Sequence, residues 1–350
     1  MLITTIEELR LALPTHAMDD ISQLTGFIEN SEVDFLKEKL GDELYSALKG
    51  KYKEIDVQGY LQKIFNNEVL TPWERLLQMC QRCVSFDAMG RAISVQAISL
   101  NNAGINISTS DDYEKVDANT VAAYKSQCSK EAHAGINYLL QSLETMVKEA
   151  RMYDADSVES GDYTQEEKDA IYAKMLIAEL WKKSRYYFLV GSLLLPSASI
   201  LQDFVNIYDN REKYIQLLPD LHYVQEEQIA PAIGDELLDY FVGVSIKGTT
   251  DKIISRVIYK LRKALASGLE ARTTILGTKK ERQMQAHDEL VGYIKSIAEY
   301  ITVHQEILLE KAETAMKASP CYREPKDDKL RDKSYENKKG NALFATPVMH

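Results

Sequence analysis

Two cysteines, Cys80 and Cys83, have the spacing of a redox pair or of half a zinc site. The residues around them follow the apolar periodicity of a helix, no second pair of this kind occurs, and no strand precedes them as in a thioredoxin-type centre. We therefore expect packing cysteines. Six histidines are scattered along the chain, and none has the spacing of a helical metal centre: His16, His133, His222, His287, His304 and His350. The sequence predicts no metal site and no cofactor.

One glycine-bounded segment, Gly243-Val-Ser-Ile-Lys-Gly248-Thr-Thr, has the glycine spacing of a phosphate-binding loop. Thr249 stands where that loop requires lysine, and the segment follows a predicted helix instead of a strand. A loop that joins two helices is the better interpretation. No strand is followed by a dinucleotide-binding glycine pattern, and no nucleophile elbow occurs. We expect no enzymatic activity.

Positive charge is concentrated between Ser245 and Arg282, where ten Lys and Arg residues face three acids in a chain whose formal net charge is -11. Four of these cations share one predicted helical stripe, opposite an apolar face from Ile253 to Leu261. This basic stripe consists of Lys252, Arg256, Lys260 and Lys263. A solvated helix face is one interpretation; docking to an acidic partner surface or to DNA phosphates is the other.

The C-terminal segment also has the composition of a binding element. Residues 318–341 are polar and of mixed charge, so they are expected to be extended or disordered until they dock. The chain then becomes apolar, and a frayed terminus is the alternative to a docking segment. The candidate docking residues are Leu343, Phe344, Pro347, Val348 and Met349.

The elements that position these residues are predicted to be helices. Only 16 Gly and 8 Pro interrupt 350 residues, and apolar residues recur at three- and four-residue spacing. Helix starts are indicated at Thr4 or Thr5, at Thr71-Pro-Trp-Glu74 and at Thr164-Gln-Glu-Glu167. Further predicted helices span about 20–49, with Gly41 as a bend, 71–100, 118–151, 250–269 and 278–316. Residues 105–117 are expected to form an exposed loop, with a short strand as an alternative.

The second half of the chain repeats features of the first. Gly-Asp-Glu-Leu occurs at 41–44 and again at 234–237, and apolar positions from Leu24 to Leu48 align with those from Leu217 to Phe241 at a constant offset. An additional surface helix is expected in the first copy, between Gly50 and Thr71. We predict an all-α fold of two tandem helical bundles, residues 1–152 and 153–317, with an extended tail at 318–350.

The acidic balance of 42 Lys and Arg against 53 Asp and Glu disfavours general DNA binding. Four cysteines in 350 residues form no disulfide framework, and the N-terminus lacks the apolar region of a signal peptide. The longest apolar run, Tyr186 to Leu195, is about half the length of a membrane span. We expect a soluble protein made in a reducing cytoplasm, with no membrane partner.

The opening of the sequence resembles the head-tail connector, or neck adaptor, proteins of tailed bacteriophages. The resemblance rests on Leu2-Ile-Thr-Thr-Ile-Glu-Glu-Leu9, on Asp20 with the helix up to Leu40, and on Gly41-Asp-Glu-Leu-Tyr45. Gly104-Ile-Asn-Ile and Ser334-Tyr-Glu-Asn are also similar to a long, duplicated variety from phages and prophages of gut anaerobes. The resemblance covers residues 1–150 and, more weakly, residues 190–316.

That resemblance implies a structural virion protein of the phage neck, made in the cytoplasm of a bacterial host. It implies a homo-oligomeric ring, most often a dodecamer, that joins the portal protein to the tail or to further neck proteins and lines the channel for DNA as passing cargo. The C-terminal residues from Ala342 to Met349 would grip the portal, and the basic stripe would meet an acidic neighbour. The alternative is a helical adaptor of a bacterial cell that docks its tail on a partner.

Overall fold

The chain folds as an all-α protein, as its periodicity predicts. The computed structural model describes residues 1–13, 20–96, 98–101, 104–107, 118–187 and 191–324. Contacts divide the chain into two units, one holding Met1–Val190 and Pro196–Leu218 and the other holding Gly191–Leu195 and Pro219–His350.

The first half of the chain contains nine helices among the described residues, a π-helical segment and one short hairpin. In order, the elements are α1 (Ile6–Ala12), a 3-10 turn (Ile21–Gln23), α2 (Thr25–Ser31), the π-helical segment (Glu32–Leu36), α3 (Lys37–Leu40), α4 (Asp42–Glu54), α5 (Val57–Phe65), α6 (Pro72–Gln96), β1 (Ile98–Asn101), β2 (Gly104–Ile107), α7 (Ala118–Ala150), α8 (Ala155–Ser160) and α9 (Gln165–Trp181). The strands pair antiparallel, with Ile98 opposite Ile107. Helix α6 therefore ends before the predicted position near Leu100, because residues 98–101 pair as a strand.

Capping boxes form at the three predicted helix starts. In each, a threonine hydroxyl accepts a hydrogen bond from the backbone three residues later, and the glutamate there accepts one from the threonine backbone. The pairs are Thr5 with Glu8, Thr71 with Glu74 and Thr164 with Glu167. Local sequence therefore determines these starts.

The helix predicted over residues 20–49 is interrupted at Gly41, so a single bent helix was wrong. Gly41 has φ 82° and ψ 159°, a conformation that is essentially restricted to glycine. A Cβ at this position would also lie 3.0 Å from the Cα of Ser184. The chain stops one helix at Leu40 and begins α4 at Asp42 in a new direction.

Helix α9 belongs to the first unit. Trp181 is fully buried, and its indole Nε1 donates to the carbonyl oxygen of Lys39 at 3.3 Å. Ser184 donates its hydroxyl to the same oxygen at 3.1 Å. The first unit therefore extends beyond the predicted boundary at residue 152. The polar residues before α9 suggested a boundary there, but the contacts that hold α9 in the first unit join residues far apart in sequence.

A closely packed antiparallel helix pair, α6 and α7, forms the centre of the first unit. Cys83 of α6 faces Gly135 of α7, where an added Cβ would lie 2.9 Å from the Sγ atom. Seven residues further along α6, Gly90 faces Cys128 of α7. The pairing of glycine with a small thiol at both points allows the two helices to approach closely.

The helix expected between Gly50 and Thr71 is α5, a surface helix whose inner face is buried. Tyr60 is 1% exposed and donates its hydroxyl to Gln81 Oε1 at 2.9 Å. One face of this helix therefore belongs to the core.

The second half of the chain is helical at every regular element described. Its elements are α10 (Ala198–Gln202), α11 (Arg211–Tyr223), a π-helical segment (Val224–Ile229), α12 (Ala230–Ile233), α13 (Asp235–Lys247), α14 (Lys252–Arg272), α15 (Lys280–Val303) and α16 (Gln305–Ala318). The helix predicted over 278–316 is two helices, because His304 leaves the helical conformation with φ -106° and ψ 22°.

The repeated tetrapeptides occupy the same type of turn. Gly234 has φ 90° and ψ 141°, close to the values of Gly41, and both α4 and α13 follow with 13 residues. A π-helical segment precedes each turn. The carbonyl of Ile233 accepts a hydrogen bond from Ser319, as the carbonyl of Lys39 does from Ser184. These parallels are internal to each unit.

The predicted tail begins too early at residue 318. Ser319 and Cys321 are buried, with Cys321 only 3% exposed. The Cys321 backbone accepts a hydrogen bond from Thr302 at 2.9 Å. Residues 319–321 are therefore part of the second unit.

Candidate partner interface

Helix α14 carries the basic stripe, and its start is set by Asp251. The Asp251 carboxylate accepts hydrogen bonds from the backbone of Ile253 at 2.8 Å and of Ile254 at 3.1 Å. One side of the helix is buried through Ile254, Val257, Ile258, Leu261 and Leu265. The helical period then places the four cations of the stripe on the other side, as predicted.

Two members of the stripe contact α15. Lys260 donates to the hydroxyl of Ser296 at 2.7 Å, and its Nζ lies 5.2 Å from the ring centroid of Tyr300. Arg256 lies over the same ring at 5.8 Å. The Tyr300 ring therefore lies against two positively charged side chains.

The remaining two members, Lys252 and Lys263, lie at the N-terminal and C-terminal ends of the stripe. Lys263 lies 5.0 Å from the ring centroid of Tyr259, and a hydrogen bond with this tyrosine raises the pKa of Lys263. Lys252 and Arg256 are exposed. The structure thus adds an aromatic component, Tyr259 and Tyr300, that the sequence interpretation had not included.

The stripe differs from three other cations of the second unit in its lack of carboxylate partners. Arg272 pairs with Asp220 at 2.7 Å, Arg282 pairs with Glu270 and Glu289, and Lys311 pairs with Asp251. Within the described part of the chain, no carboxylate lies within ion-pair distance of Lys252, Arg256, Lys260 or Lys263. Within the predicted basic run, Arg272 and Arg282 are therefore paired internally, whereas, among the described residues, the four cations of the stripe are not.

A surface of opposite charge in the first unit was not predicted as a candidate site. Residues 154–169 form α8, a short turn and the beginning of α9, and we name them the acidic elbow. It contains one lysine, Lys168, and seven acids: Asp154, Asp156, Glu159, Asp162, Glu166, Glu167 and Asp169. All seven acids are exposed, and none forms an ion pair with a cation among the described residues. The sequence signal for this surface is the run of acids itself.

A buried polar cluster around Glu8 in the first unit is structural. Glu8 is fully buried, and its carboxylate accepts hydrogen bonds from Tyr52 at 2.8 Å, from Gln81 at 2.8 Å and from two backbone amides. The neighbouring Tyr60 has its pKa raised by burial. A carboxylate with this number of donors is fully satisfied, so we assign the cluster to stability.

Two concavities in the first unit have volumes of about 410 Å³ and 540 Å³. The first lies beside Glu8, Met79 and Tyr138, and the second beside Val69, Arg75 and Thr145. Neither brings together an unpartnered acid with a nucleophile. We assign no ligand to them.

The Cys80–Cys83 pair lies within the core. Both thiols are fully buried, and burial raises the pKa of Cys83 to about 12 and that of Cys80 well above its ordinary value. A thiol held neutral in this way is a poor nucleophile and metal ligand. Among the described residues no group of three or more His, Cys, Asp or Glu side chains is arranged to hold a metal ion.

The candidate docking residues of the tail, Leu343, Phe344, Pro347, Val348 and Met349, lie outside the described residues. The described helices include none with the length and apolarity required to cross a membrane.

Residues 36–154 match a family model described as a family of unknown function, DUF6712. No curated protein matches the chain, and no solved structure matches it. The matched region extends from the π-helical segment to the start of the acidic elbow, and it leaves the second unit without an assignment.

Proposed function

We propose that this protein is a structural component of the neck of a tailed bacteriophage. In this proposal a ring of copies joins the portal to the tail or to further neck proteins and surrounds the passing DNA. The protein is made in the cytoplasm of a bacterial host and acts in the virion, without catalysis and without a cofactor.

The observation that carries the proposal is the position of the residues behind the resemblance. Leu2, Ile3, Leu24, Leu40 and Leu44 are all fully buried. The opening threonines and Glu8 form the first capping box, Asp20 caps the 3-10 turn, and Gly41 makes the turn into α4. The similar residues thus form the framework of the first unit, which supports a likeness of fold and not of isolated surface positions.

Charge adds a second line of support. At -11 for each chain, a ring of twelve would carry about -130 in total. Affinity for DNA without sequence preference comes from Lys and Arg contacts with phosphates. An acidic ring would let DNA slide through a channel without retaining it.

A further part of the proposal is that the two halves arose by duplication. Support comes from the paired turns at Gly41 and Gly234 and from the backbone contacts of Leu2 and Leu194. Gln81 donates to the carbonyl of Leu2 at 2.7 Å, and Arg262 donates to that of Leu194 at 2.9 Å. On the amide side, Leu2 donates to Glu32 and Leu194 donates to Gln225.

The experiment that tests the proposal removes the tail. Deleting residues 325–350 leaves the buried Ser319 and Cys321 in place, so thermal stability should be unchanged while attachment to the portal protein is lost. Deleting from residue 318 is the contrasting control, because it removes these buried groups and should lower Tm. Sedimentation with the purified portal protein measures attachment. A full-length chain that stays apart from the portal would refute the neck assignment and favour a cellular adaptor.

A further inference from the structure

Two oppositely charged surfaces of the chain lack internal counterions. The basic stripe of the second unit has four cations without carboxylate partners among the described residues, and the acidic elbow of the first unit has seven acids without cationic partners there. Other cations in the same two units, such as Arg272 and Lys174, do form ion pairs with carboxylates. The unpaired sets are therefore available to an external surface.

Both surfaces also carry exposed apolar groups of the type that protein interfaces use. Tyr259 in the stripe is 52% exposed. Tyr163 within the elbow is 40% exposed, and Met152 just before it is 80% exposed. Tyrosine, methionine and arginine are enriched in protein interfaces, whereas a solvated helix face has no need of the first two.

We propose that the basic stripe of one copy docks on the acidic elbow of a second copy of this chain. Two different surfaces meet in such a contact, so it is heterologous and repeats from copy to copy, closing into a ring when the rotation permits. The inference rests on the proposed function in one respect, because a neck ring requires a contact of this kind. The inference adds the residues that form this contact between copies.

A second copy fits the stripe better than a nucleic acid does. The elbow combines carboxylates with exposed apolar side chains, which matches the cations and Tyr259 of the stripe. A nucleic acid duplex presents phosphates along its backbone but no methionine or tyrosine side chains to pack against Tyr259.

Charge reversal tests the contact directly. The stripe variant is Lys252→Glu, Arg256→Glu and Lys260→Glu in one chain, and the elbow variant is Asp156→Lys, Asp162→Lys and Glu166→Lys. Each alone should weaken self-association more than tenfold in sedimentation velocity at low salt. A 1:1 mixture should restore it, because the reversed stripe then meets the reversed elbow. The wild-type contact should weaken steeply as salt rises.

A matched control reverses three exposed lysines elsewhere, Lys53→Glu, Lys125→Glu and Lys130→Glu, with the same change in net charge. It should self-associate like the wild type. Reversal of the stripe without effect on self-association overturns the proposal, as does failure of the mixture to recover. Binding of a DNA duplex that depends on the stripe, with self-association unchanged, overturns it in favour of nucleic acid.

Portal attachment is measured separately on the wild-type chain. Self-association that follows the charge pattern, without portal attachment, supports the contact and refutes the neck function. Portal attachment together with charge-insensitive self-association supports the neck function and refutes the contact.

Discussion

The side-chain amide of Gln81 donates a 2.7 Å hydrogen bond to the carbonyl oxygen of Leu2, across 79 positions of sequence. The same amide donates to Glu8 at 2.8 Å, and its oxygen accepts from Tyr60. Gln81 therefore connects the opening segment, α1 and α5 to the long helix α6. Because all of these groups are buried, each needs its partner.

Replacing Gln81 with leucine should destabilise the first unit by about 2–3 kcal/mol, because the Leu2 carbonyl, the Glu8 carboxylate and the Tyr60 hydroxyl would each lose a partner. Chemical denaturation measures the loss. Gln62→Leu is the control, since this residue of α5 is exposed and should change stability by less than about 0.5 kcal/mol. Equal effects of the two substitutions would contradict the connecting role.

The two repeated turns should be equally sensitive to a Cβ atom. Gly41→Ala and Gly234→Ala should each cost about 2–3 kcal/mol, because they combine backbone strain with crowding against Ser184 and Ser319 respectively. Gly248 has a similar φ of 80° but no atom within 4 Å of the added Cβ. Gly248→Ala thus measures the strain alone, and we expect about 1–2 kcal/mol. A cost at Gly248 as large as at Gly41 would refute the crowding argument.

The close approach of α6 and α7 predicts that substitutions at Cys83 and Gly135 have coupled effects on stability. Gly135→Ala should destabilise by about 1–2 kcal/mol, because its Cβ would lie 2.9 Å from the Sγ of Cys83. Cys83→Ala in the same chain should recover part of this loss, and a double-mutant cycle measures the coupling. Gly50→Ala is the control, since its Cβ meets nothing within 4 Å. Strictly additive effects at 83 and 135 would mean that the helices adjust without strain.

The buried thiols predict a loss of stability at alkaline pH. The pKa of Cys83 is raised from 9.0 to about 12, so the unfolded chain loses this proton at lower pH than the folded chain. The stabilising contribution of the neutral Cys83 thiol to the free energy of unfolding is intact below pH 9 and is lost as pH rises from 9 to 12. Cys83→Ala should reduce the fall in unfolding free energy between pH 8 and 10 by about 1 kcal/mol. Ser85→Ala, a buried change on the same helix without a titrating group, should leave the profile parallel to the wild type.

Sequence alone predicted the features that depend on residues close together in the chain. The capping threonines at 5, 71 and 164, the basic stripe and the all-α class follow from neighbouring residues. The π-helical segments and the break at His304 were not predicted, because apolar periodicity does not distinguish a continuous helix from an interrupted one.

Long-range contacts account for the other differences. The place of α9 in the first unit depends on Trp181 reaching Lys39, and the burial of the inner face of α5 depends on Tyr60 reaching Gln81. Which cations of the basic run have carboxylate partners, as Arg272 and Arg282 do, also depends on contacts between distant residues. These relationships join residues that no local pattern connects.

The proposed role of the protein is a ring of copies beneath a portal. Cryo-electron microscopy of the full-length chain mixed with the portal protein measures this directly, together with the mass of the complex by light scattering. We expect closed rings of about twelve copies bound to the portal, with DNA-sized channels. A monodisperse monomer that remains separate from the portal, with its helical content intact, would contradict the account.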